Sequence, residues 1–259
     1  MTTQTTVDRT ALESKVKSMY SDVAANPHGE FHFEMGRAMA ERLGYAVADL
    51  DRIPADAIDS FAGVGHFFHL AGLSPGERVL DLGSGSGMDS FIAALRVEPG
   101  GSVVGVDMTD AQLEKAERLA REHRVANVTF RKAYIEDTGL DSQSIDCVIS
   151  NGVINLAADK PRVFHEIARV LRPGGRLALA DIITALPLPE TVVCNADLWA
   201  ACIGGAAERE AYRTAIEGAG LTVERLEDNR EYRFISERAR KATAKWGVAS
   251  VSILARKRD

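Results

Sequence analysis

The chain has 259 residues, of which 46% are hydrophobic and 26% are charged, as expected for a globular α/β unit with a sizeable core. Its net charge of −6 and its lack of a long basic run argue against nucleic acid or an anionic membrane as a partner. The sequence has no apolar run long enough to span a bilayer, and its polar first residues do not resemble a signal peptide. Three cysteines, an odd number, argue against a disulfide framework. We therefore expect a cytoplasmic protein.

The first 72 residues predict a helical cap over the functional site. Turn residues divide this cap at Asn26-Pro27, Gly44 and Ile53-Pro54. Aromatic and histidine residues gather at 31–34 and 60–69, just before the first strand, where they are placed to form a lid over an acceptor site. His32 and His66 are therefore candidate general bases and Phe67 is a candidate wall, and core packing is the competing interpretation for each of them. His28 and His32 are four residues apart and His66 and His69 are three apart, which are spacings that a metal on a helix could use, but no third ligand accompanies them, so we predict no metal site.

The next segment predicts a strand, a glycine turn and a helix. An apolar run containing Asp81 leads into Gly83, Gly85 and Gly87, and apolar residues then recur at helical spacing. Glycine allows a tight turn, and the helix N-terminus offers free N–H groups to a nucleotide-type ligand. The spacing G-x-G-x-G differs from the dinucleotide fingerprint, and a carboxylate before it would repel phosphate. Asp81 instead suits an ammonium or sulfonium ligand with ribose hydroxyls, which describes S-adenosylmethionine.

A second strand ends in Asp107, which follows Gly87 by 20 residues, the distance at which nucleotide folds place an acid against ribose hydroxyls. Thr109 and Gln112 form a capping-box pattern that opens a long helix. A third strand leads to residues 134–136, a fourth ends at Asn151, and a helix and a Pro-Gly-Gly turn precede a fifth strand at 176–181. Strands that alternate with helices predict a doubly wound, mostly parallel sheet whose ligand lies beyond the carboxyl ends of the strands.

With these motifs in place, residues 73–180 resemble a class I S-adenosylmethionine-dependent methyltransferase. The resemblance implies a seven-stranded Rossmann-like sheet in a domain at 73–259, with the last strand, at 248–255, inserted antiparallel between strands five and six. Its first motif implies contacts to the methionine part of the cofactor, and Tyr134 stands where the family's commonest adenine-side acid would be. The cofactor residues that it implies are Asp81, Gly83, Ser84, Gly85, Gly87, Asp107, Met108, Ile135, Glu136, Asn151 and Val153.

Two further stretches, at 150–156 and 198–206, resemble the arsenite methyltransferase branch. That branch binds trivalent arsenic through cysteine thiolates, which are soft ligands. One family cysteine corresponds to Cys202, but Gly152 stands at the position of another, and no cysteine precedes Cys147. Cys194 and Cys202 are eight residues apart, which is about 12 Å along a helix. The two thiolates could therefore bind the same arsenic atom only if that helix unwound.

We therefore expect an enzyme that transfers a methyl group from S-adenosylmethionine to a small organic acceptor by in-line displacement. Arsenite methylation with Cys202 and external thiols is one alternative, and a non-catalytic S-adenosylmethionine-binding protein is another. An inserted helical segment near 186–210 supplies Trp199 and Cys202 as candidate acceptor contacts, and Tyr134 joins the candidate bases. The sequence allows a monomer or a homodimer.

Overall fold

A mostly parallel sheet forms the centre of the molecule in the computed structural model, which describes residues 9–193 and 204–258. The strands occur in the order β3-β2-β1-β4-β5-β8-β7, and short β6 pairs with β5 off this path. Only β8 runs antiparallel to its neighbours β5 and β7. The strands are β1 (Arg78–Leu82), β2 (Ser102–Asp107), β3 (Val128–Lys132), β4 (Ile145–Asn151), β5 (Leu171–Thr184), β6 (Ala207–Glu208), β7 (Leu221–Asp228) and β8 (Ala249–Lys257).

Helices of the described residues cover both faces of this sheet. They are α1 (Arg9–Ala25), α2 (Arg37–Leu43), α3 (Val47–Leu50), α4 (Ala55–Asp59), α5 (Phe68–Ala71), α6 (Met88–Val97), α7 (Asp110–Glu122), α8 (Lys160–Val170), α9 (Glu190–Val193), α10 (Arg209–Gly218) and α11 (Glu237–Trp246). The doubly wound, mostly parallel seven-stranded sheet predicted from the sequence is confirmed, with the two-residue β6 as an addition. The antiparallel insertion of the last strand is confirmed as well.

The strand side chains alternate between two apolar layers. Cys147 and Ile149 of β4 face the layer that includes α5, α6 and the first helices, whereas Val148 faces the layer that includes α8 and α10. Because helices cover both faces, β4 is buried from Ile145 to Ser150, as is usual for a central parallel strand. Cys147 is a free cysteine whose side chain is fully buried in this strand.

The strand order reverses at β1, which lies between β2 and β4. Asp81, near the end of β1, stands beside Gly105 of β2 on one side and Ile149 of β4 on the other. Ligands of open α/β sheets bind at this type of switch point, outside the carboxyl ends of the strands. Residues of α1 and of the segment at 57–63 lie at these strand ends, whereas α5 packs near the amino end of β1, where Arg176 of β5 donates to the Ala71 carbonyl and pairs with Glu77. The division of the chain into a cap and a domain at residue 72 stays a prediction.

Candidate cofactor and acceptor site

A cavity of about 450 Å³ opens at the carboxyl ends of β1, β2 and β4. Its walls come from the glycine turn after β1, from residues 133–137, from residues 151–158, and from α1 and the segment at 57–63. Ten of the eleven predicted cofactor residues line it, namely Asp81, Gly83, Ser84, Gly85, Asp107, Met108, Ile135, Glu136, Asn151 and Val153. The fold thus brings to one space residues that lie up to 72 positions apart in the chain.

The glycine turn keeps the cavity wide because its backbone adopts conformations that favour glycine. Gly83 has φ of +70°, and a Cβ there would lie 2.5 Å from Cγ2 of Val153. Gly87 has φ of +95°, and a Cβ there would lie 2.8 Å from the ring of Phe130. Gly87, the eleventh predicted residue, does not line the cavity and instead lets α6 begin close to Phe130.

Asp107 fastens the glycine turn to the start of α7. Its Oδ2 accepts a hydrogen bond from the backbone N–H of Gly85 at 3.0 Å, and its Oδ1 accepts one from the N–H of Thr109 at 2.8 Å. Burial raises the pKa of Asp107, and these backbone donors oppose that rise. The predicted capping box is wrong, because Thr109 makes no side-chain cap hydrogen bond. Gln112 turns instead toward Ser86, whose hydroxyl donates to its Oε1 at 2.5 Å.

Two fully buried carboxylates, Asp81 and Asp89, stand at one end of the cavity. Asp81 accepts a hydrogen bond from the Ser90 hydroxyl at 2.6 Å. Asp89 accepts one from the Tyr45 hydroxyl at 2.7 Å and one from Nδ2 of Asn151 at 3.1 Å. Burial raises the pKa of both carboxyls, and the charge of Asp89 raises that of Asp81 further.

This pair predicts that the ligand-free protein loses stability as the pH rises. Because the folded chain holds these protons more tightly than the unfolded chain, the free energy of unfolding falls until both carboxyls have ionised. Asp89, whose pKa is raised to about 6, has ionised by pH 6.5, so the loss between pH 6.5 and 8 comes from Asp81, whose pKa the charge of Asp89 helps to raise to about 8. We expect a loss of up to about 1.4 kcal/mol per pH unit in this range, or about 4 °C in Tm. His66 titrates below this window, since burial lowers its pKa to about 4. Thermal unfolding at several pH values tests this, and an Asp89→Asn variant with the same slope would contradict it.

Asn151 joins the end of β4 to the segment that precedes α5. Its Oδ1 accepts a hydrogen bond from the N–H of Val64 at 2.8 Å, and its Nδ2 donates to the Gly65 carbonyl and to the Tyr45 hydroxyl, both at 3.0 Å. With its contact to Asp89, every polar atom of this side chain has a protein partner. Asn151 therefore builds the wall of the cavity, and its predicted contact to the cofactor stays a prediction.

Helix α1 forms a cover over the cavity, and its residues Leu12, Val16 and Tyr20 line the space beneath it. Gln112 donates a hydrogen bond to the Tyr20 carbonyl at 2.8 Å, and Lys115 donates to the Ala24 carbonyl at 3.2 Å. These two hydrogen bonds join α1 to α7, which carries both Gln112 and Lys115.

The hydroxyl of Tyr134 holds the other end of the same cover. It donates to Oε1 of Glu13 at 2.5 Å and accepts from Nζ of Lys17 at 3.1 Å, and both partners are on α1. Tyr134 is 47% exposed, so it sits at the outer rim of the cavity. The contacts with Glu13 and Lys17 account for the orientation of the Tyr134 side chain. That Tyr134 acts as a general base stays a prediction.

The remaining candidates lie apart from the main cavity or outside the described residues. His66 packs edge-on against the Tyr45 ring at 4.8 Å between centroids. His32 lines a second cavity of about 20 Å³, together with Phe33. Phe67 is fully buried in the core and is absent from the residues that line the main cavity. Trp199 and Cys202 fall between the two described ranges, so their proposed contacts remain predictions.

The cavity suits a ligand with hydroxyl groups and positive charge. Ser84 is 9% exposed, lines the cavity, and its Oγ has no hydrogen-bond partner among residues 9–193 and 204–258. An unpaired buried hydroxyl is costly, so a ligand atom is its expected partner. Asp107 and the half-buried Glu136 offer acceptors for hydroxyls or amines, and the cradle at Gly83 leaves room for the main chain to approach a ligand. This donor and acceptor set fits S-adenosylmethionine.

Sequence reasoning missed Asp89, Tyr45 and Gln112 as members of the site. Asp89 lies two residues beyond the last glycine of the motif, and an acid in the first turn of a helix is ordinarily attributed to the helix dipole. Gln112 was assigned to a cap that does not form. Tyr45 gives no local signal, because its role arises only when the cap packs against the sheet.

Other classes of site have little support in the described residues. No three of their His, Cys, Asp or Glu side chains are grouped as metal ligands would be. Among the helices of residues 9–193 and 204–258, none combines the length and the apolar character needed to cross a membrane.

Comparison with known proteins identifies the fold and the family. The family model for a methyltransferase domain matches residues 73–233. The chain is 40% identical over 199 residues to an arsenite methyltransferase of Halobacterium salinarum, covering 76% of this chain and 51% of the relative. The human arsenite methyltransferase is 44% identical over 137 residues and is covered to 36%. The chain thus spans about half, or less, of the length of these curated relatives.

Solved structures agree with this assignment. The arsenic(III) S-adenosylmethionine methyltransferase of Chlamydomonas reinhardtii is 32% identical, with a TM-score of 0.65 over 87% of this chain and 75% of that one. Geranyl diphosphate C-methyltransferase of Streptomyces coelicolor A3(2), solved with S-adenosylhomocysteine, shares the fold with a TM-score of 0.67 at 19% identity, over 95% of this chain and 98% of that one. The chain therefore belongs to the methyltransferase domain family, whose cofactor is S-adenosylmethionine.

Proposed function

We propose that this protein transfers a methyl group from S-adenosylmethionine to a small organic acceptor. The observation that carries the proposal is a single cavity in which the polar cofactor residues meet an apolar wall. That wall consists of Phe61, Ala62, Val153, Leu156 and Ala157. Such a surface favours an acceptor whose reactive atom is carried on an apolar body.

The cofactor, when bound, supplies a methyl group on a sulfonium that is already activated for displacement. The chain's own residues then have to orient the acceptor and exclude water. Helix α1 and the segment at 57–63 cover the cavity, and Asn151 holds that segment against β4 through its hydrogen bond from Val64. We propose that Asp107 and Glu136 accept hydrogen bonds from the hydroxyls and the base of the cofactor. A soft or already anionic acceptor needs no general base.

Two features of the chain, at Gly152 and at Cys147, support an organic acceptor over arsenic. Gly152 has φ of +73°, and a Cβ there would lie 3.2 Å from Cγ1 of Val64, so a cysteine is both strained and crowded at this position. Cys147 is buried within the sheet, where burial raises the pKa of its thiol to about 12. It is therefore not a thiolate ligand. Of the three cysteines, only Cys194 and Cys202 remain as ligands for arsenic.

Arsenite methylation is the second candidate because the curated relatives of 40% to 44% identity bear that name. On this chain it requires Cys202 together with external thiols to complete a soft ligand set. A third candidate, cofactor binding without turnover, needs no acceptor at all.

A methyl-transfer assay on the full chain separates these candidates. Arsenite with glutathione is compared with a panel of phenols, amines and indoles, each with the wild-type chain and with Cys202→Ser. Turnover of an organic acceptor that survives Cys202→Ser supports the proposal. Arsenite turnover that is lost in Cys202→Ser replaces it with the arsenite function. Cofactor binding by titration without any turnover favours the non-catalytic candidate.

Loosening the cover formed by α1 is expected to accelerate cofactor release. Lys115 does not line the cavity, but its Nζ donates to the Ala24 carbonyl at 3.2 Å and to the Ser60 hydroxyl at 2.8 Å. Losing two such hydrogen bonds in Lys115→Met costs about 1–2 kcal/mol in the closed state, which corresponds to release about tenfold faster. A chase experiment with labelled cofactor measures this rate. Lys132→Met, which breaks an exposed contact to Asp110, serves as the control and is expected to leave the rate unchanged.

A further inference from the structure

Asp89 is a buried acid that lines the cavity, and the proposed reaction as described so far assigns it no role. Helix α6 places it beside Asp81, and both side chains line the same cavity. Its hydrogen-bond donors, the Tyr45 hydroxyl and the Asn151 amide, are neutral groups. They hold the carboxylate in one orientation but do not balance its charge.

The described residues provide no counter-ion for this pair of acids. Neither Asp81 nor Asp89 forms an ion pair with a lysine, arginine or histidine within 9–193 and 204–258, and the neighbouring charge that acts on Asp81 is a third acid, Asp107. The arginines that line the cavity, Arg9 and Arg162, act on Glu136 instead. Buried carboxylates without a cation are unfavourable, so a positively charged ligand is what this end of the cavity lacks.

The unpartnered hydroxyl of Ser84 is independent of these acids and also points to a ligand in the cavity. The proposed cofactor carries two positive groups, an ammonium and a sulfonium, at its methionine end. Its product, S-adenosylhomocysteine, retains the ammonium but has a neutral thioether. A single carboxylate satisfies the group that both molecules share. A second carboxylate can also attract the sulfonium, so it stabilises the binding only of the molecule that still carries the transferable methyl group.

We propose that Asp89, oriented by Tyr45 and Asn151, is the counter-charge that makes this site prefer S-adenosylmethionine over S-adenosylhomocysteine. This inference rests on the proposed function. Its consequence is that the site holds the donor while methyl is present and loses affinity once the charge has gone, so that product release follows from the reaction itself.

The test is the affinity of an Asp89→Asn variant for the two molecules, measured by titration calorimetry on the full chain. Asparagine keeps the shape of the side chain, and its Oδ1 still accepts from Asn151 while its Nδ2 donates to the Tyr45 hydroxyl, which also accepts. Removing one charge near a buried cation is expected to weaken S-adenosylmethionine binding by about tenfold or more, and S-adenosylhomocysteine binding by less than about threefold.

Asp181→Asn is the matched control. Asp181 is also fully buried, and it accepts a hydrogen bond from a tyrosine hydroxyl, that of Tyr212, at 2.7 Å. Its side chain does not line the cavity. The ratio of the two affinities is expected to stay unchanged in this variant. Equal losses for both molecules in Asp89→Asn, or no loss for either, would overturn the proposal.

A second measurement uses the wild-type chain, so that it does not depend on the folding of any variant. Titrations in two buffers of different ionisation enthalpy count the protons released on binding. The groups that face Asp89 are Asp81 from β1, Asp107 from β2 through Asp81, Tyr45 from the cap and, behind its ring, His66. A sulfonium draws protons from the acids, so S-adenosylmethionine is expected to release more protons near pH 7 than S-adenosylhomocysteine. Equal release would overturn the proposal.

The two levels of inference fail in different ways. If the wild-type chain binds neither molecule, the proposed function is lost. If it binds both with equal affinity and equal proton release, the cofactor assignment stands and only the role of Asp89 is lost.

Discussion

Asp107→Asn is expected to weaken S-adenosylmethionine binding by about 100-fold. The carboxylate of Asp107 accepts backbone hydrogen bonds on both oxygens, from Gly85 and from Thr109, so it fixes the glycine turn against α7. An amide places an N–H₂ group against one of these donors. Each charge-assisted hydrogen bond contributes about 1.5–3 kcal/mol, so losing one and weakening the other accounts for this factor. Titration with both S-adenosylmethionine and S-adenosylhomocysteine is the measurement, and both affinities are expected to fall together.

Asp110→Asn is the control for this change. Asp110, three residues further on, is the first residue of α7, but it is exposed and its partner is Lys132 on the surface. We expect its affinities to stay within about twofold of the wild type, since an exposed ion pair contributes little. If Asp107→Asn bound the cofactor as well as this control does, the assignment of Asp107 to the cofactor site would be wrong.

Gly83→Ala is expected to remove cofactor binding and to lower the free energy of unfolding by about 2–4 kcal/mol. The backbone of Gly83, at φ of +70°, costs an alanine about 1 kcal/mol. The new Cβ would also lie 2.5 Å from Cγ2 and 2.6 Å from Cβ of Val153. That overlap costs about 1–3 kcal/mol more and pushes two walls of the cavity apart. Chemical denaturation and cofactor titration of the same sample measure both effects.

Gly76→Ala separates the strain of the backbone from the overlap. Gly76 has φ of +86°, similar to that of Gly83, but a Cβ there would meet nothing within 4 Å. We expect this variant to lose only about 1 kcal/mol of unfolding free energy and to bind the cofactor normally. If Gly83→Ala and Gly76→Ala lowered the free energy of unfolding equally, the overlap with Val153 would contribute nothing to the destabilisation.

The parts of the site that were predicted from the sequence are those that depend on local chain geometry. A strand, three glycines and a helix specify their own turn, and Asp107 follows from the regular length of one strand–helix–strand unit. The carboxyl ends of parallel strands meet at one edge, so Asp81 and Asn151 were expected to converge, and both line the cavity. These inferences needed no knowledge of how distant parts of the chain pack.

The parts that were missed depend on that packing. Asp89 is held in its orientation by a hydrogen bond from Tyr45, which lies 44 positions earlier in the chain. Gln112 faces α1 rather than its own helix end, since Tyr20 and Ser86 offer it better partners. Tyr134 looked like a departure from the family at an adenine contact, and in the structure its hydroxyl meets Glu13 of the cover. Contacts of this kind, between segments far apart in the chain, cannot be predicted from a local sequence pattern.

The position of β8 also matters while the chain is being made. β7 pairs only with β8 in the sheet order, and β5 pairs with β8 along Arg176 to Ile183. Until Ala249–Lys257 has left the ribosome, the segment of β7 has no neighbour and the long β5 has an open hydrogen-bonding edge. Nascent chains are therefore prone to aggregate in the interval between the emergence of β5 and that of β8, and a chain cut before β8 keeps such an open edge permanently.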